Sequence, residues 1–482
     1  MSSHPRYQQS LACLFSLQKF GVKLGLSNIE ALMQGLRNPH LRYPSILIGG
    51  TNGKGSTAAF LDFILRSSGL RVGLYTSPHL LDFRERIRVN GIPMEEGEFV
   101  EGTDRLSRLI SSLMIQESSA PLRLSCHPTF FEVSTALAFD YFANRGVDVA
   151  VVEVGMGGRY DATNILHPIL SIITNVDLDH QEYLGGDLRQ IALEKAGIIK
   201  DQGQVISGVA HPEAAEVIQR IARERGARIY NLGEDITWQV AETTWNGQEI
   251  SIQGLKDAYS HLKIRLLGGH QAANAAAAVA AAELLQDQGF PVSQDAISEG
   301  LAKSCWPGRM QVVNRHPLIV VDSAHNPAGA QILFRAMKDL DHYCRLYLVF
   351  GVLRDKNWRE MLELLGPLAD AIILAEPPSE RAADPLWLKE ELGMRFDRME
   401  VRKEIGEAIH LAKSLAQAED AILVAGSIFT AAEALRALGV EVSLASDFTG
   451  AFSSPTGKKP RTQGLRPSNR KSGWKSRRDM LY

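Results

Sequence analysis

Short apolar runs alternate with longer segments of helical periodicity along most of the chain. The runs Ser45–Ile48, Val149–Val154, Leu170–Thr174, Leu318–Val321, Leu346–Phe350, Ile372–Ala375 and Ile422–Ala425 end at or near Gly, Asp, Asn or Glu. Strands alternating with helices predict an α/β fold with a mainly parallel sheet, in which ligand chemistry collects at the carboxyl ends of the strands. A helix is expected over 57–67, after the first run. The Ala-rich stretch Ala272–Leu285, interrupted by Asn274 and Glu283, reads as a packed helix. Near Ala302–Gly308 a helical pattern ends, Trp306-Pro307-Gly308 intervenes and a new strand–helix series begins, so a domain boundary is placed there. The expected division is 1–304, 305–450 and a tail, 451–482.

Composition agrees with this division. A chain of 482 residues exceeds one ordinary domain, and 45% apolar with 22% charged residues is a globular balance. A net charge of −3 gives no reason to expect nucleic acid or a membrane surface as partner. Cys13, Cys126, Cys305 and Cys344 form no CxxC pair, which argues against a zinc site or disulfide framework. Met1–Leu17 lacks a signal-peptide pattern and no apolar run is long enough to span a bilayer, so a cytoplasmic protein is expected. The tail differs: from Lys458 to Arg478 nine Lys or Arg stand among Ser, Pro and Gly, a composition that cannot bury a core and is expected to be disordered.

The strongest local chemistry is Gly49-Gly50-Thr51-Asn52-Gly53-Lys54-Gly55-Ser56-Thr57, between the first strand and its helix. Glycines let backbone N–H groups approach phosphate oxygens, the helix start favours an anion, a lysine reaches the outer phosphates, and a following hydroxyl holds Mg²⁺. The fit to the usual P-loop spacing is imperfect, because Ile48 takes the first glycine position and Gly55 separates Lys54 from Ser56. A glycine-rich turn opening a helix is the bland alternative.

This variant loop resembles that of the folylpolyglutamate synthase/dihydrofolate synthase family, relatives of the Mur peptide ligases. The resemblance recurs in order through Thr76-Ser77-Pro78-His79-Leu80, Glu85-Arg86-Ile87, Thr129-Phe130-Phe131-Glu132, Glu153 to Asn164, Asp179-His180, Glu194-Lys195-Ala196-Gly197, Pro307-Gly308-Arg309 and Asp322 to Pro327. It implies a P-loop ATPase domain with a mainly parallel sheet, followed by a second Rossmann-like α/β domain. It also implies an ATP-dependent amide ligase that joins L-glutamate to 7,8-dihydropteroate and to reduced folates through an acyl phosphate, acting as a monomer.

The resemblance further implies residue roles. Thr51 to Thr57, Asn274, Arg309 and Asp322 would meet ATP. Ser56, Ser77, Glu153 and His180 would hold Mg²⁺, with two ions in all. Lys195 would carry a CO₂-derived carbamate. Thr129, Phe130, Phe131, Glu132, Arg159, Asp161 and Ala162 would bind the pterin, with Phe131 stacking and Asp161 accepting hydrogen bonds. His325, Lys356 and Ser427 would bind the incoming glutamate, and Lys54, Lys195 and His325 would be catalytic. Read without the family, Glu153 is equally a metal ligand or a strand-end acid paired with an arginine, Phe131 equally a ring for stacking or a core aromatic, and Lys195 a plain lysine. Arg159-Tyr160-Asp161-Ala162 resembles the bifunctional pattern. The rivals are an enzyme that only lengthens polyglutamate, another Mur-type ligase, and a nucleotide-driven switch that needs no amino acid.

Overall fold

The computed structural model describes residues 5–440 except 22, 24, 116–121, 180, 341 and 397. The chain separates into residues 1–447 and 448–482, and the second stretch, with the basic tail expected to be disordered, lies outside the described residues.

Eight strands build the first sheet: β1 (Ser45–Gly49), β2 (Val72–Tyr75), β3 (Ile87–Val89), β4 (Ile92–Pro93), β5 (Val149–Glu153), β6 (Leu170–Ile173), β7 (Gln204–Ser207) and β8 (Arg228–Asn231). Their order is β4-β3-β2-β5-β1-β6-β7-β8, parallel from β2 to β8 with an antiparallel β3–β4 edge. The apolar runs are continuous because both faces are covered. Ile46, Ile48, Val149 and Val151 share a core with the helices Lys54–Ser67 and Gly269–Asp287. Leu47, Ala150 and Val152 share the opposite core with the helices Phe130–Arg145 and Pro212–Glu224. Each fully buried Val, Ile or Leu there contributes about 1.5–3 kcal/mol. The alanines of Gly269–Asp287 other than Ala273 are buried, as expected for a packed helix. Among the described residues no helix is long and apolar enough to cross a membrane.

Beyond β8 come β9 (Thr237–Thr244), β10 (Gly247–Gln253) and β11 (Ala258–Ile264), an antiparallel three-stranded sheet that the apolar runs did not foretell. A six-stranded sheet follows: β12 (Gln311–Arg315), β13 (Leu318–Val321), β14 (Leu346–Phe350), β15 (Ala371–Glu376), β16 (Met399–Glu404) and β17 (Ala421–Ala425). Its order is β12-β13-β17-β14-β15-β16, parallel except for β12. The segment between the helix Gln294–Lys303 and β12 contains Trp306, whose indole packs against Gly55.

The helix after β1 begins at Lys54, three residues before the expected start. Thr57 N donates to Gly53 O at 2.9 Å, so the helix is closed from Gly53 onward, and the glycines of this turn had masked its apolar period. Gly53 has φ +84°, and a Cβ there would lie 2.6 Å from Asn274 Oδ1, so both conformation and space require glycine.

Candidate functional site

Strand register puts the chemistry together. Ile48 pairs with Glu153 and Gly49 with Ile173, so the phosphate loop, the Glu153–Gly158 turn and the 174–179 segment leave the sheet side by side. The loop is tied to its neighbours: Thr51 Oγ1 donates to Asp177 O at 3.1 Å, and Asn52 N donates to Asn175 Oδ1 at 2.8 Å. Thr57 Oγ1 lies 3.4 Å from Asn274 Oδ1. Thr51 and Thr57 therefore spend their hydroxyls on the frame, and Asn274 braces the loop. Asn52 Nδ2 is buried without a hydrogen-bond partner among the described residues.

Two adjoining cavities open here. One, of about 160 Å³, is lined by Gly50 to Ser56, Glu153, Lys195, His270, Gln271, Arg309 and Asp322. The other, of about 440 Å³, is lined by Thr129, Phe130, Phe131, Glu132, Tyr160, Asp161, Ala162 and, from the second half, Lys356, Arg381 and Ser427. Ser77, Pro78, Gly155, Met156, Gly157, Arg309 and His325 line both.

Several charges are buried at this junction. Lys54 Nζ donates to Gly50 O at 3.1 Å and Thr51 O at 3.0 Å. Burial lowers its pKa, while Glu153 and Asp179 oppose the shift. Burial raises the pKa of Glu153 against the pull of Lys54, and its Oε2 accepts the Ser77 amide at 2.9 Å. Lys195, 3% exposed, donates to Gly50 O at 2.9 Å, and burial, reinforced by Lys54, lowers its pKa to about 7. Among the described residues no three His, Cys, Asp or Glu side chains form a metal cluster, and His180 lies outside them. The donors present, Glu153 with the hydroxyls of Ser56 and Ser77, are few hard oxygens. They suit Mg²⁺, which keeps waters and shares phosphate oxygens.

Asp179 joins the two halves. Its carboxylate lies 3.3 Å from Lys356 Nζ, 3.9 Å from His325 Nε2 and 3.2 Å from Asn326 Nδ2. Asn326 Nδ2 also reaches Asn52 Oδ1 at 3.3 Å. His325 Nδ1 is 3.0 Å from Ser323 O; a carbonyl only accepts, so Nδ1 bears the proton. Burial, reinforced by Lys356, lowers the His325 pKa to about 4, leaving Nε2 a lone-pair acceptor at neutral pH. Asp322 accepts the Met310 and Ala324 amides at 2.8 and 2.7 Å, and burial raises its pKa against Arg309.

Several residues expected to bind substrate have structural partners as well. Thr129 and Glu132 form the capping box of the helix Phe130–Arg145. Asp161 Oδ1 accepts Thr163 N at 3.0 Å and Oδ2 accepts Met156 N at 2.9 Å, so much of its capacity is used within the turn. Ser427 caps the helix Ile428–Ala437 through Thr430 N at 3.0 Å. Arg159 does not itself line either cavity, but its ion-pair partner Glu194, at 3.8 Å, and its neighbours Gly158 and Tyr160 line the larger one. Phe130 stacks on Phe15, with ring centroids 5.5 Å apart. His270, Gln271, Lys23, Arg86 and Arg381 line the cavities but carried no site assignment from the sequence. Only the His270-Gln271 step before Asn274, at the start of a helix, and Arg86 inside a recognised motif offered a signal.

Phe131 offers a direct check of the larger cavity. Phe131→Leu keeps apolar bulk and removes the ring. KM for an aromatic acceptor is expected to rise up to about tenfold while KM for ATP holds, since ring pairing contributes about 0.5–1.5 kcal/mol beyond area. Steady-state kinetics varying each substrate measure this, and an unchanged acceptor KM would make Phe131 a packing residue only.

Residues 103–282 match the Mur ligase middle domain, and residues 308–428 match the Mur ligase, glutamate ligase domain. The chain is 34% identical over 430 residues to the dihydrofolate synthase/folylpolyglutamate synthase of Bacillus subtilis, covering 88% of this chain and 97% of that one. To the protein of the same name from Escherichia coli it is 34% identical over 433 residues, covering 89% and 94%. Mycobacterium tuberculosis folylpolyglutamate synthase complexed with ADP and AMPPCP superposes with a TM-score of 0.82 at 34% identity, covering 90% and 99%. E. coli FolC in complex with DHPP and ADP superposes with a TM-score of 0.79 at 31% identity, covering 89% and 97%.

Proposed function

The chain belongs to the dihydrofolate synthase/folylpolyglutamate synthase family of Mur-type, ATP-dependent ligases, and on that premise we propose how its residues join L-glutamate to dihydropteroate and to reduced folates. One observation supports the arrangement above all: a phosphate-loop cavity and a larger aromatic-lined cavity share a wall at Ser77, Gly155–Gly157, Arg309 and His325. Nucleotide in the first places its terminal phosphate against an acceptor carboxylate in the second.

The loop amides, Lys54 and the Asn52 amide donor hold the phosphates, and Arg309 and Asp322 hold the nucleotide from the second half. A Mg²⁺ at Glu153, Ser77 and His180, with a second near Ser56, would neutralise charge between two anionic reactants. The acceptor carboxylate attacks the γ-phosphorus; a bond forms between a carboxylate oxygen and that phosphorus, and the bond from the phosphorus to the bridging oxygen breaks, releasing ADP. The amine of glutamate then attacks the acyl carbon and phosphate leaves. No protein nucleophile is required, and catalysis is positioning and electrostatics.

His325 Nε2 and Asp179 Oδ2 are both acceptors 3.9 Å apart, a pair that suits the incoming amine. Lys356, and Ser427 at the cap, are assigned to the carboxylates of glutamate. This refines the role of His325, because a neutral imidazole receives a donor and does not pair with a carboxylate. Lys195 is assigned as the carbamate site, since reaction with CO₂ needs a neutral amine. Phe130 and Phe131 receive the pterin, with Thr129, Glu132, Asp161 and Ala162 around it; Arg159 acts only through Glu194 and Tyr160. The same reading divides the chain at 304/305 and implies a monomeric, cytoplasmic enzyme with small-molecule partners.

The test is ADP release with ATP, Mg²⁺ and L-glutamate, comparing 7,8-dihydropteroate with a reduced monoglutamyl folate. Glutamate-dependent release with both is expected. Release with the folate alone would reduce the activity to tail lengthening, and release without glutamate would point to a switch.

A further inference from the structure

Most cationic side chains lining the larger cavity are already engaged. Lys23 Nζ donates to His127 O at 2.9 Å, Arg86 Nε donates to His79 Nδ1 at 2.9 Å, and Lys356, assigned above to the incoming glutamate, faces Asp179 at 3.3 Å. Arg309 lies at the wall shared with the nucleotide. Arg381 is different. Its side chain is 63% exposed, and its ion pair is a 3.5 Å approach to Asp355, itself 47% exposed. Such a pair is readily exchanged for another carboxylate.

The base of Arg381 is nevertheless fixed. Arg354 N donates to Arg381 O at 2.9 Å, Leu353 and Ala382 form an antiparallel bridge, and Ala383 is fully buried. Lys356 N donates to Leu353 O at 3.2 Å, so the turn that carries Lys356 is tied to the segment that carries Arg381, and both cations line the cavity. The result is an anchored backbone presenting an available guanidinium at the cavity wall.

The two acceptors differ in charge. A pteroate has one carboxylate, and that one reacts. An acceptor already bearing glutamate has two at its reacting end, and the one that does not react stays ionised and must be held. Guanidinium binds a carboxylate through paired, charge-assisted hydrogen bonds. We propose that Arg381 is a specificity residue for glutamylated acceptors, binding the unreacting carboxylate of the terminal glutamate, a group that pteroate lacks. The assignment rests on the function proposed above.

The experiment uses the full-length enzyme and its Arg381→Ala and Arg381→Lys variants. Rates are measured with dihydropteroate, with a monoglutamyl tetrahydrofolate, and with the α-amide of that folate. For Arg381→Ala, KM for the folate is expected to rise about tenfold, with dihydropteroate changed less than twofold and Lys restoring part of the loss. The α-amide is expected to bind weakly to the unmodified enzyme and no more weakly to Arg381→Ala. Equal losses with both acceptors would place Arg381 on the incoming glutamate and overturn the assignment, as would an unchanged KM for the folate. If the unmodified enzyme ignores dihydropteroate, the bifunctional reading fails, and the folate and its α-amide still decide the role of Arg381.

Discussion

Lys54→Ala is expected to lower ligation by about 10³-fold or more, with the loss in kcat and the fold retained. Lys54 opens the helix that follows β1, and its ammonium is held over the phosphate loop by two backbone carbonyls, Gly50 O and Thr51 O. Both are weak holds that phosphate oxygens can replace. The charge has a second duty, because Glu153 and Asp179 both interact with it. Removing it leaves two buried carboxylates less compensated, so affinity for the anionic nucleotide falls as well. A barrier increase of about 4 kcal/mol corresponds to the stated rate. The fold should persist at some cost in stability, because relief from desolvating the ammonium only partly offsets leaving Glu153 and Asp179 without its charge. Single-turnover phosphoryl transfer together with circular dichroism separates the two effects. A folded variant turning over near the normal rate would remove Lys54 from the mechanism. Lys54→Met keeps the stem and should fail equally, since the charge is what matters.

The strand–loop–helix at Ser45–Ser67 was legible because three signals agree: an apolar run, glycines with a lysine, and a helical pattern. The central parallel strands were legible because they are apolar on both faces, whereas Arg228–Asn231 and Met399–Glu404 at the sheet edges are partly exposed and formed no apolar run. The three-stranded antiparallel sheet was missed because Thr237–Thr244 is largely exposed and offers no apolar run. Its signal was present elsewhere, in Asn246-Gly247 between two alternating segments, a common hairpin turn.

The candidate site was legible in its residue types but not in their partners. Thr129 and Glu132 satisfy a local rule, the capping box, that their sequence spacing also announces. Asp161 and Ser427 likewise cap the turns they begin. A motif cannot separate a side chain that shapes a turn from one that also touches a ligand. The role of Asp179 was illegible for another reason. Its partners His325, Asn326 and Lys356 come from the second half of the chain, and only the packed structure brings them to one carboxylate. Arg381 carried no signal, because an exposed arginine in a loop is ordinary until the cavity beside it is known.

Lys195→Ala is expected to cost about 10²-fold or more in kcat, and a small carboxylate such as acetate is expected to restore part of it. The side chain is 3% exposed, close to Lys54, and its pKa is lowered to about 7. Its pKa in the unfolded chain is about 10.4. Between these values the folded protein holds a neutral amine where the unfolded chain holds an ammonium. The burial therefore costs stability as pH falls from about 10.4 toward 7, and the cost levels off below 7, where both states are protonated. A charged lysine beside Lys54 would be a liability, whereas a neutral amine can add CO₂ and become an anion that Lys54 attracts. The carbamate reading predicts bicarbonate-dependent activity in the unmodified enzyme, falling as pH drops below about 7, where the amine is protonated. Bicarbonate-depleted buffer, with and without added bicarbonate, tests this on the intact protein. The mutant tests it independently, since acetate can supply a carboxylate where the proposed carbamate would stand. If Lys195→Arg retains full activity, or if neither bicarbonate nor acetate changes any rate, then Lys195 acts as a cation through Gly50, and the modification is absent.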